Sequence, residues 1–284
     1  MSQISAADVM KLRDMTGMQM MKCKEALVKA NGDMQKAIEI IRMGNKDAVV
    51  KSAGRETAEG RIAAYIDPAA QVGALVEVRC ESAPVAKNDL FVQLATDLAK
   101  QVALKDAKTP DELMAQPFVG DPKRTVAERI AELVGLMREN VKVARMQRLT
   151  GRLGSYIHHD GTVGVLVQVE GDKADPQMLR DVSMHVAAKS PLAARREDVA
   201  ADKVAKETEI AKAQLDADPK NKSKPPQILE KILEGKLKTW FADNVLVEQP
   251  FVKDDTKTVG QLLGGAGLKM GRFVRYKVGE IAPQ

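Results

Sequence analysis

Two segments of this chain repeat one another, and the repeat constrains the fold more than any other feature. Ala64-Tyr65-Ile66-Asp67-Pro68-Ala69-Ala70-Gln71-Val72-Gly73-Ala74-Leu75-Val76-Glu77-Val78 recurs as Ser155-Tyr156-Ile157-His158-His159-Asp160-Gly161-Thr162-Val163-Gly164-Val165-Leu166-Val167-Gln168-Val169. Tyr, Ile, Val, Gly, Leu, Val and Val hold the same places in both copies. Each copy has two β-rich runs around a turn, Asp-Pro in one and Asp-Gly in the other, and so predicts a hairpin. An apolar stripe at helical spacing follows each: Phe91, Leu94, Leu98 and Val102 after the first, Leu179, Val182, Val186 and Ala187 after the second. Two hairpin-plus-helix units predict a duplicated α+β core, with helices covering one face of each antiparallel sheet. A lone hairpin is marginal in water, so each sheet requires another strand. Residues 273–278 alternate Phe273, Arg275 and Lys277 against Val274, Tyr276 and Val278, and supply that strand for the second unit.

Ahead of the repeat, residues 1–43 carry the punctuation of a three-helix domain. Ser5 precedes a first helix, with Asp8 three positions on. Thr16 is placed to cap a second, whose face is Met20, Cys23, Leu27 and Ala30. Asn31-Gly32 stops that helix, since both residues tolerate the left-handed conformation. Asp33 caps a third with an inner face of Met34, Ala37, Ile38 and Ile41. A unit this small buries little surface and must dock on something else.

Residues 44–63 read as a linker, partly helical. The core then divides into an N-subdomain, 64–152, and a C-subdomain, 153–197 with 243–284. Residues 126–149 read as one long helix, because Ile130, Val134, Met137, Val141 and Ala144 recur at three- or four-residue intervals. The polar stretch 105–123, with Pro110, Pro117 and Pro122, reads as a loop around a short helix. Residues 198–242 interrupt the C-subdomain as a helical hairpin. Val204, Thr208, Ala211 and Leu215 make one seam, and Leu229, Leu233, Leu237 and Trp240 the other. The Pro-rich tip between them, Asp218 to Pro226, cannot continue a helix.

Composition narrows the function. The 44 basic residues are offset by 39 acidic ones, which argues against a nucleic-acid stripe despite the net charge of +5. Cys23 and Cys80, one on a helix face and one ending a strand-like run, read as buried thiols in a reducing cytosol. A signal peptide and a membrane span are not expected. Neither a Walker loop nor a nucleophile elbow nor a His-Glu-x-x-His motif occurs, so direct nucleotide binding, a cofactor and catalysis are not expected. The glycines of 260–271 read as a loop. Neighbouring His158 and His159, taken as strand residues on opposite faces, should not share a metal.

Thr16-Gly17-Met18-Gln19-Met20-Met21-Lys22-Cys23-Lys24-Glu25-Ala26-Leu27, followed by Asn31-Gly32-Asp33, resembles the opening of the bacterial elongation factor Ts family. The resemblance continues through most of the chain. It implies a ubiquitin-associated-like N-terminal domain and an antiparallel coiled coil at 198–242. It implies a cytoplasmic guanine nucleotide exchange factor for elongation factor Tu, which displaces magnesium and loosens the phosphate site. It places Met20, Met21, Lys24 and His158 against that partner, and His185 in a structural role at a helix boundary. It leaves open a homodimer or a 2:2 complex.

Three departures stand out. The family's Thr-Asp-Phe-Val motif, whose Asp acts near the magnesium and whose Phe wedges between partner helices, is here Ser82-Ala83-Pro84-Val85. Arg138 precedes Glu139-Asn140, where the family usually has Gly. The sequence stops at Gln284, where some relatives carry a further helix that touches the partner. The altered motif keeps an alternative in view: a partner-binding or chaperone-like module of the same fold with weakened exchange.

Overall fold

In the computed structural model, which describes residues 4–221 and 224–280, three helices open the chain: α1 (Ala6–Thr16), α2 (Met20–Lys29) and α3 (Met34–Ser52). Ser5 caps α1 by accepting from the Asp8 amide, and Asp33 caps α3 by accepting from the Lys36 amide. Thr16 does not cap α2. It is the last residue of α1, its hydroxyl donates to the Leu12 carbonyl, and Gly17 ends the helix at φ 68°. Leu12, Met18, Cys23, Leu27, Ala37 and Ile41 are among the residues filling a small core. The boundary expected at residue 43 falls inside α3, which runs unbroken to Ser52. The first strand starts within the stretch read as a linker.

The first half of the core contains β1 (Glu59–Asp67), β2 (Val72–Cys80), α4 (Ala83–Ala86), α5 (Asp89–Lys105), α6 (Pro110–Ala115), β3 (Pro117–Phe118), β4 (Asp121–Thr125), α7 (Val126–Met137) and β5 (Lys142–Thr150). The second contains β6 (Arg152–Ile157), β7 (Val163–Glu170), α8 (Pro176–Lys189), α9 (Ala201–Ala217), α10 (Pro226–Asn244), β8 (Pro250–Phe251), β9 (Asp254–Thr258), α11 (Val259–Gly265) and β10 (Lys269–Lys277). Both three-stranded sheets are antiparallel, ordered β1-β2-β5 and β10-β7-β6.

β10 is the strand the sequence offers for the second sheet. Its counterpart β5 lies inside the stretch expected to be one long helix. α7 stops at Met137, and Arg138 turns the chain at φ 60°. Val141 and Ala144 sit at helical intervals from Met137, but the left-handed residue at 138 ends the helix before they can join it. They pair instead along the open edge of β2, and the two sheets close in the same register: Val72 opposite Thr150, Val163 opposite Lys277.

The layers follow from the alternation in the strands. Ala74, Val76, Val78 and Cys80 share a buried cluster with Phe91, Leu94, Leu98 and Val102 of α5. Val165, Val167 and Val169 share another with Leu179, Val182 and Val186 of α8. The opposite faces of the two sheets meet each other through Ile62, Leu75, Leu149 and Leu166. Leu75 and Leu166 occupy the same place in the repeat. At Gly164 the sheets come so close that an added Cβ would lie 2.4 Å from Cγ2 of Ile62. Beside this contact the buried Glu77 carboxylate accepts from Arg145 Nε at 2.6 Å and from the Gly279 amide at 3.1 Å. The Arg145 guanidinium stacks on the Tyr276 ring at 4.4 Å and donates to the Lys277 carbonyl at 2.9 Å.

The duplication extends beyond the hairpins. Gln116-Pro117-Phe118-Val119 and Gln249-Pro250-Phe251-Val252 each open a short strand pair, and each pair leads into a helix with a capping box, Thr125 with Glu128 and Thr258 with Gln261. The glycines of 260–265 therefore lie in α11 and Gly271 lies in β10, so the loop expected over 260–271 is confined to 266–268, with Gly267 at φ 70°.

Each covering helix sends one buried polar side chain to this motif. Gln101 of α5 donates to Oε1 of Gln116 and accepts from the Val119 amide at 2.7 Å. His185 of α8 does the same with an imidazole: Nδ1 accepts from the Val252 amide at 3.2 Å, and Nε2 lies 2.9 Å from Oε1 of Gln249. His185 is structural, but it stands inside α8 and is fully buried, not at a helix boundary.

α9 and α10 fold back along each other. Ala211 and Leu215 are buried, while Leu229, Leu233, Leu237 and Trp240 are half-buried. Lys222 and Ser223 lie outside the described residues. Among those described, no helix is long and apolar enough to cross a membrane.

His185 can accept from Val252 only as neutral imidazole. Burial holds its pKa below the ordinary 6.5, the Gln249 bond opposes this, and Lys189 adds to it. An unfolded histidine binds a proton near pH 6.5 where the folded one does not, so stability should fall as pH drops below that value. Urea unfolding compared between about pH 7.5 and about pH 5.5 should show a smaller loss in His185→Gln, which copies Gln101. Equal losses in both proteins would remove His185 as the source.

Candidate functional site

The start of α2 presents two methionines. Cys23 and Leu27 lie on the inner face of the helix; Met20, expected on that face by its spacing, starts the helix and is 37% exposed, and Met21 is 65% exposed, with Lys24 exposed beside them. Met18 belongs to the core at 3%. The crowded methionines therefore divide between packing and surface. An exposed thioether pair is an adaptable apolar contact.

The second place is the turn after β2. Ser82 precedes α4, and Pro84 sits in its first turn, where a missing amide hydrogen costs nothing. Pro84 is exposed, Ala83 is half-buried, and Val85 packs on the α5 cluster. Ser82 does not cap α4 with its side chain. Its hydroxyl donates to Oε1 of Glu139 at 2.5 Å, while Oε2 accepts the amides of Ser82 at 3.0 Å and Glu81 at 3.2 Å.

Neighbouring groups brace this anchor. The Asn140 amide donates to the Glu81 carboxylate, and Nδ2 of Asn140 donates to the Arg55 carbonyl at 2.9 Å. Arg55 reaches back to Glu81 at 3.2 Å and donates to the Arg138 carbonyl at 3.0 Å. Burial, and next the charge of Glu139, push the Cys80 thiol up to about 12, so it is inert at neutral pH.

His158 is the third place. β6 ends at Ile157, so His158 and His159 lie in the turn and not on a strand. Their rings are 4.3 Å apart, on the same side, contrary to the opposite-face expectation. His158 is half-buried, with Nδ1 3.1 Å from the Tyr156 hydroxyl. Among the described residues no group of three or more His, Cys, Asp or Glu side chains is placed to hold a metal ion.

Contiguous contacts connect the three places. Asn45 of α3 packs on α7 at Gly135, where an added Cβ would lie 2.0 Å from Oδ1 of Asn45. Lys22 Nζ donates to the Gly135 carbonyl at 3.4 Å. One turn on, Arg138 Nη2 donates to Oε1 of Gln19, next to Met20, at 3.4 Å. On the other side, the Ile62 amide of β1 donates to the Gly161 carbonyl in the His158 turn at 2.8 Å. Sequence reasoning missed Glu139, Arg55 and Gly135 as parts of this frame. Periodicity alone puts Glu139 and its neighbours in a helix, and their partners lie far away along the chain.

The elongation factor Ts family model matches residues 84–280. Proteins named elongation factor Ts match almost end to end. The one from Trichlorobacter lovleyi is 38% identical over 98% of this chain and 93% of its own length. Those from Clostridium botulinum and Clostridium kluyveri are 37% and 38% identical over the same shares. This chain belongs to the elongation factor Ts family. Its motif turn is carried on a frame that joins α2 and α3 to both sheets.

The Arg138 departure from the family's usual Gly has a structural consequence. A residue with a Cβ is held here at φ 60°, a conformation glycine adopts without penalty. Arg138→Gly should raise stability by about 1 kcal/mol in denaturant unfolding. A lower stability would show that the Gln19 contact outweighs the backbone strain.

Proposed function

We propose that this chain is a cytoplasmic guanine nucleotide exchange factor for elongation factor Tu, acting by non-covalent contact without a cofactor. One observation carries the reading: a family member exposes Met20, Met21, Pro84 and the His158 turn from one braced frame. In this reading the three N-terminal helices are a ubiquitin-associated-like domain whose Met20, Met21 and Lys24 grip the partner. α9 and α10 form an antiparallel coiled coil. His158 meets the partner near the turn of the second hairpin.

The energetics are modest. A nucleotide held at nanomolar affinity is bound by roughly 12 kcal/mol. Accelerating its release a thousandfold requires lowering the barrier by ~4 kcal/mol. That difference comes from contacts made more strongly to the loosened GTPase than to the tight one. Coupling is reciprocal, so nucleotide and magnesium on the partner weaken its hold on this protein.

Ala83 has no charge and Pro84 has little volume, so the 82–85 turn acts as a short rigid wedge matched to its own partner. Release of fluorescent GDP from the same organism's elongation factor Tu should accelerate about a thousandfold when this protein is added. Binding without acceleration would return the reading to a partner-binding module. The graft Ala83→Asp with Pro84→Phe should leave exchange equal or slower. Faster exchange would sink the matched wedge.

A further inference from the structure

We propose that Glu139 is a positioning residue for nucleotide exchange: it fixes the 82–85 turn at the angle from which Pro84 meets the partner, and it does so as an acceptor, not as a charge. The inference rests on the exchange reading above and assigns a role to a side chain outside the motif.

Three donors converge on Glu139 from one short stretch: the Glu81 amide, the Ser82 amide and the Ser82 hydroxyl. Both carboxylate oxygens are engaged. The Ser82 hydroxyl is thereby withdrawn from capping α4, whose first turn keeps only its backbone bonds, Ala86 amide to Ser82 carbonyl at 3.1 Å and Lys87 amide to Ala83 carbonyl at 3.2 Å. The family's Thr at this place also carries a hydroxyl, so Ser82 keeps the anchoring group while the carboxylate and the aromatic ring of the next two positions are replaced by Ala83 and Pro84. The geometry thus assigns the first motif position to anchoring and the third to contact.

Glu139 itself is placed by the turn at Arg138 and by Asn140, which reaches both Glu81 and the 53–55 backbone. Its orientation is fixed from both neighbours.

A competing role for the same side chain is as a substitute for the missing Asp, acting through its charge on the partner's magnesium. The two roles separate on one substitution. Glutamine can turn its carbonyl oxygen to the two amides and its amino group to the Ser82 hydroxyl, which then accepts. Shape and bonding survive, and only the charge is lost. Alanine removes the anchor altogether.

The test is fluorescent GDP release from elongation factor Tu against increasing concentrations of full-length wild type, Glu139→Gln, Glu139→Ala and Ser82→Ala. It reads the saturating rate separately from the half-saturating concentration. Positioning predicts that Glu139→Ala loses at least about tenfold in saturating rate, with half-saturation changed less than about threefold, because the α2 contacts persist. Ser82→Ala should fall between wild type and Glu139→Ala, and Glu139→Gln should stay near wild type. Thermal unfolding of each variant, and faster hydrogen exchange at the Ser82 amide in Glu139→Ala alone, confirm that the turn has loosened in an otherwise folded protein. A Glu139→Gln variant as slow as Glu139→Ala would overturn positioning in favour of charge. A folded Glu139→Ala with an unchanged saturating rate would overturn it outright. Global unfolding of Glu139→Ala together with wild-type exchange in Ser82→Ala would reduce Glu139 to a structural residue. Wild type that fails to accelerate release would overturn the exchange reading itself.

Discussion

The contact between the two sheets is the constraint on which the rest of the molecule depends. Leu75 and Leu166, equivalent in the repeat, meet there with Ile62 and Leu149, and the helices can cover only the faces left over. β2 is consequently buried on both sides. This is why its sequence reads as a nearly continuous apolar run and not as a clean alternation. Glu77 is the fully buried charge in that run, beside the half-buried Arg79. A carboxylate at 1% exposure is tolerable because Arg145 and the Gly279 amide meet it, and both partners lie on elements that close the sheets. Breaking the pair from one side would leave a charge stranded between the two halves.

Much of this was legible beforehand because the repeat carries its own register. The hairpins, their covering helices and β10 follow from periodicity alone. The strand β5 does not, since Val143, Met146 and Leu149 fall three apart, a helical spacing; in the strand an irregularity in the register opposite Glu77 and Val78 lets Val143 and Met146 both join the α5 cluster while Leu149 faces the other sheet. Only its pairing with β2, distant in sequence, reveals the strand. The strand-pair motif at Gln116 and Gln249 was present in the letters as well. Its four letters, Gln-Pro-Phe-Val, recur unchanged, but what they build depends on a buried acceptor from the covering helix, glutamine in one half and histidine in the other.

The candidate site divides in the same way. Exposure of Met21 follows from the helical face fixed by Cys23 and Leu27, whereas Met20 shares that face by its spacing and is exposed because it is the first residue of α2. The anchoring of Ser82 could not be read, because Glu139 is brought to it by the sharp turn at Arg138 and by sheet closure. A motif described by its four adjacent residues omits the distant carboxylate that aims it.

α3 has a mechanical consequence. Its 19 residues form a single rod roughly 28 Å long at 1.5 Å per residue, rooted at one end among the N-terminal helices and pinned at Asn45 against α7. The Asn45 contact ties the methionine pair to the core that carries the motif turn, so in the proposed exchange the two surfaces act as the fixed jaws of a template. A stiff template docking on a nucleotide-loaded GTPase does not yield. In the proposed exchange, the deformation that opens the nucleotide pocket falls on the GTPase, and little of the binding energy goes into ordering the factor itself.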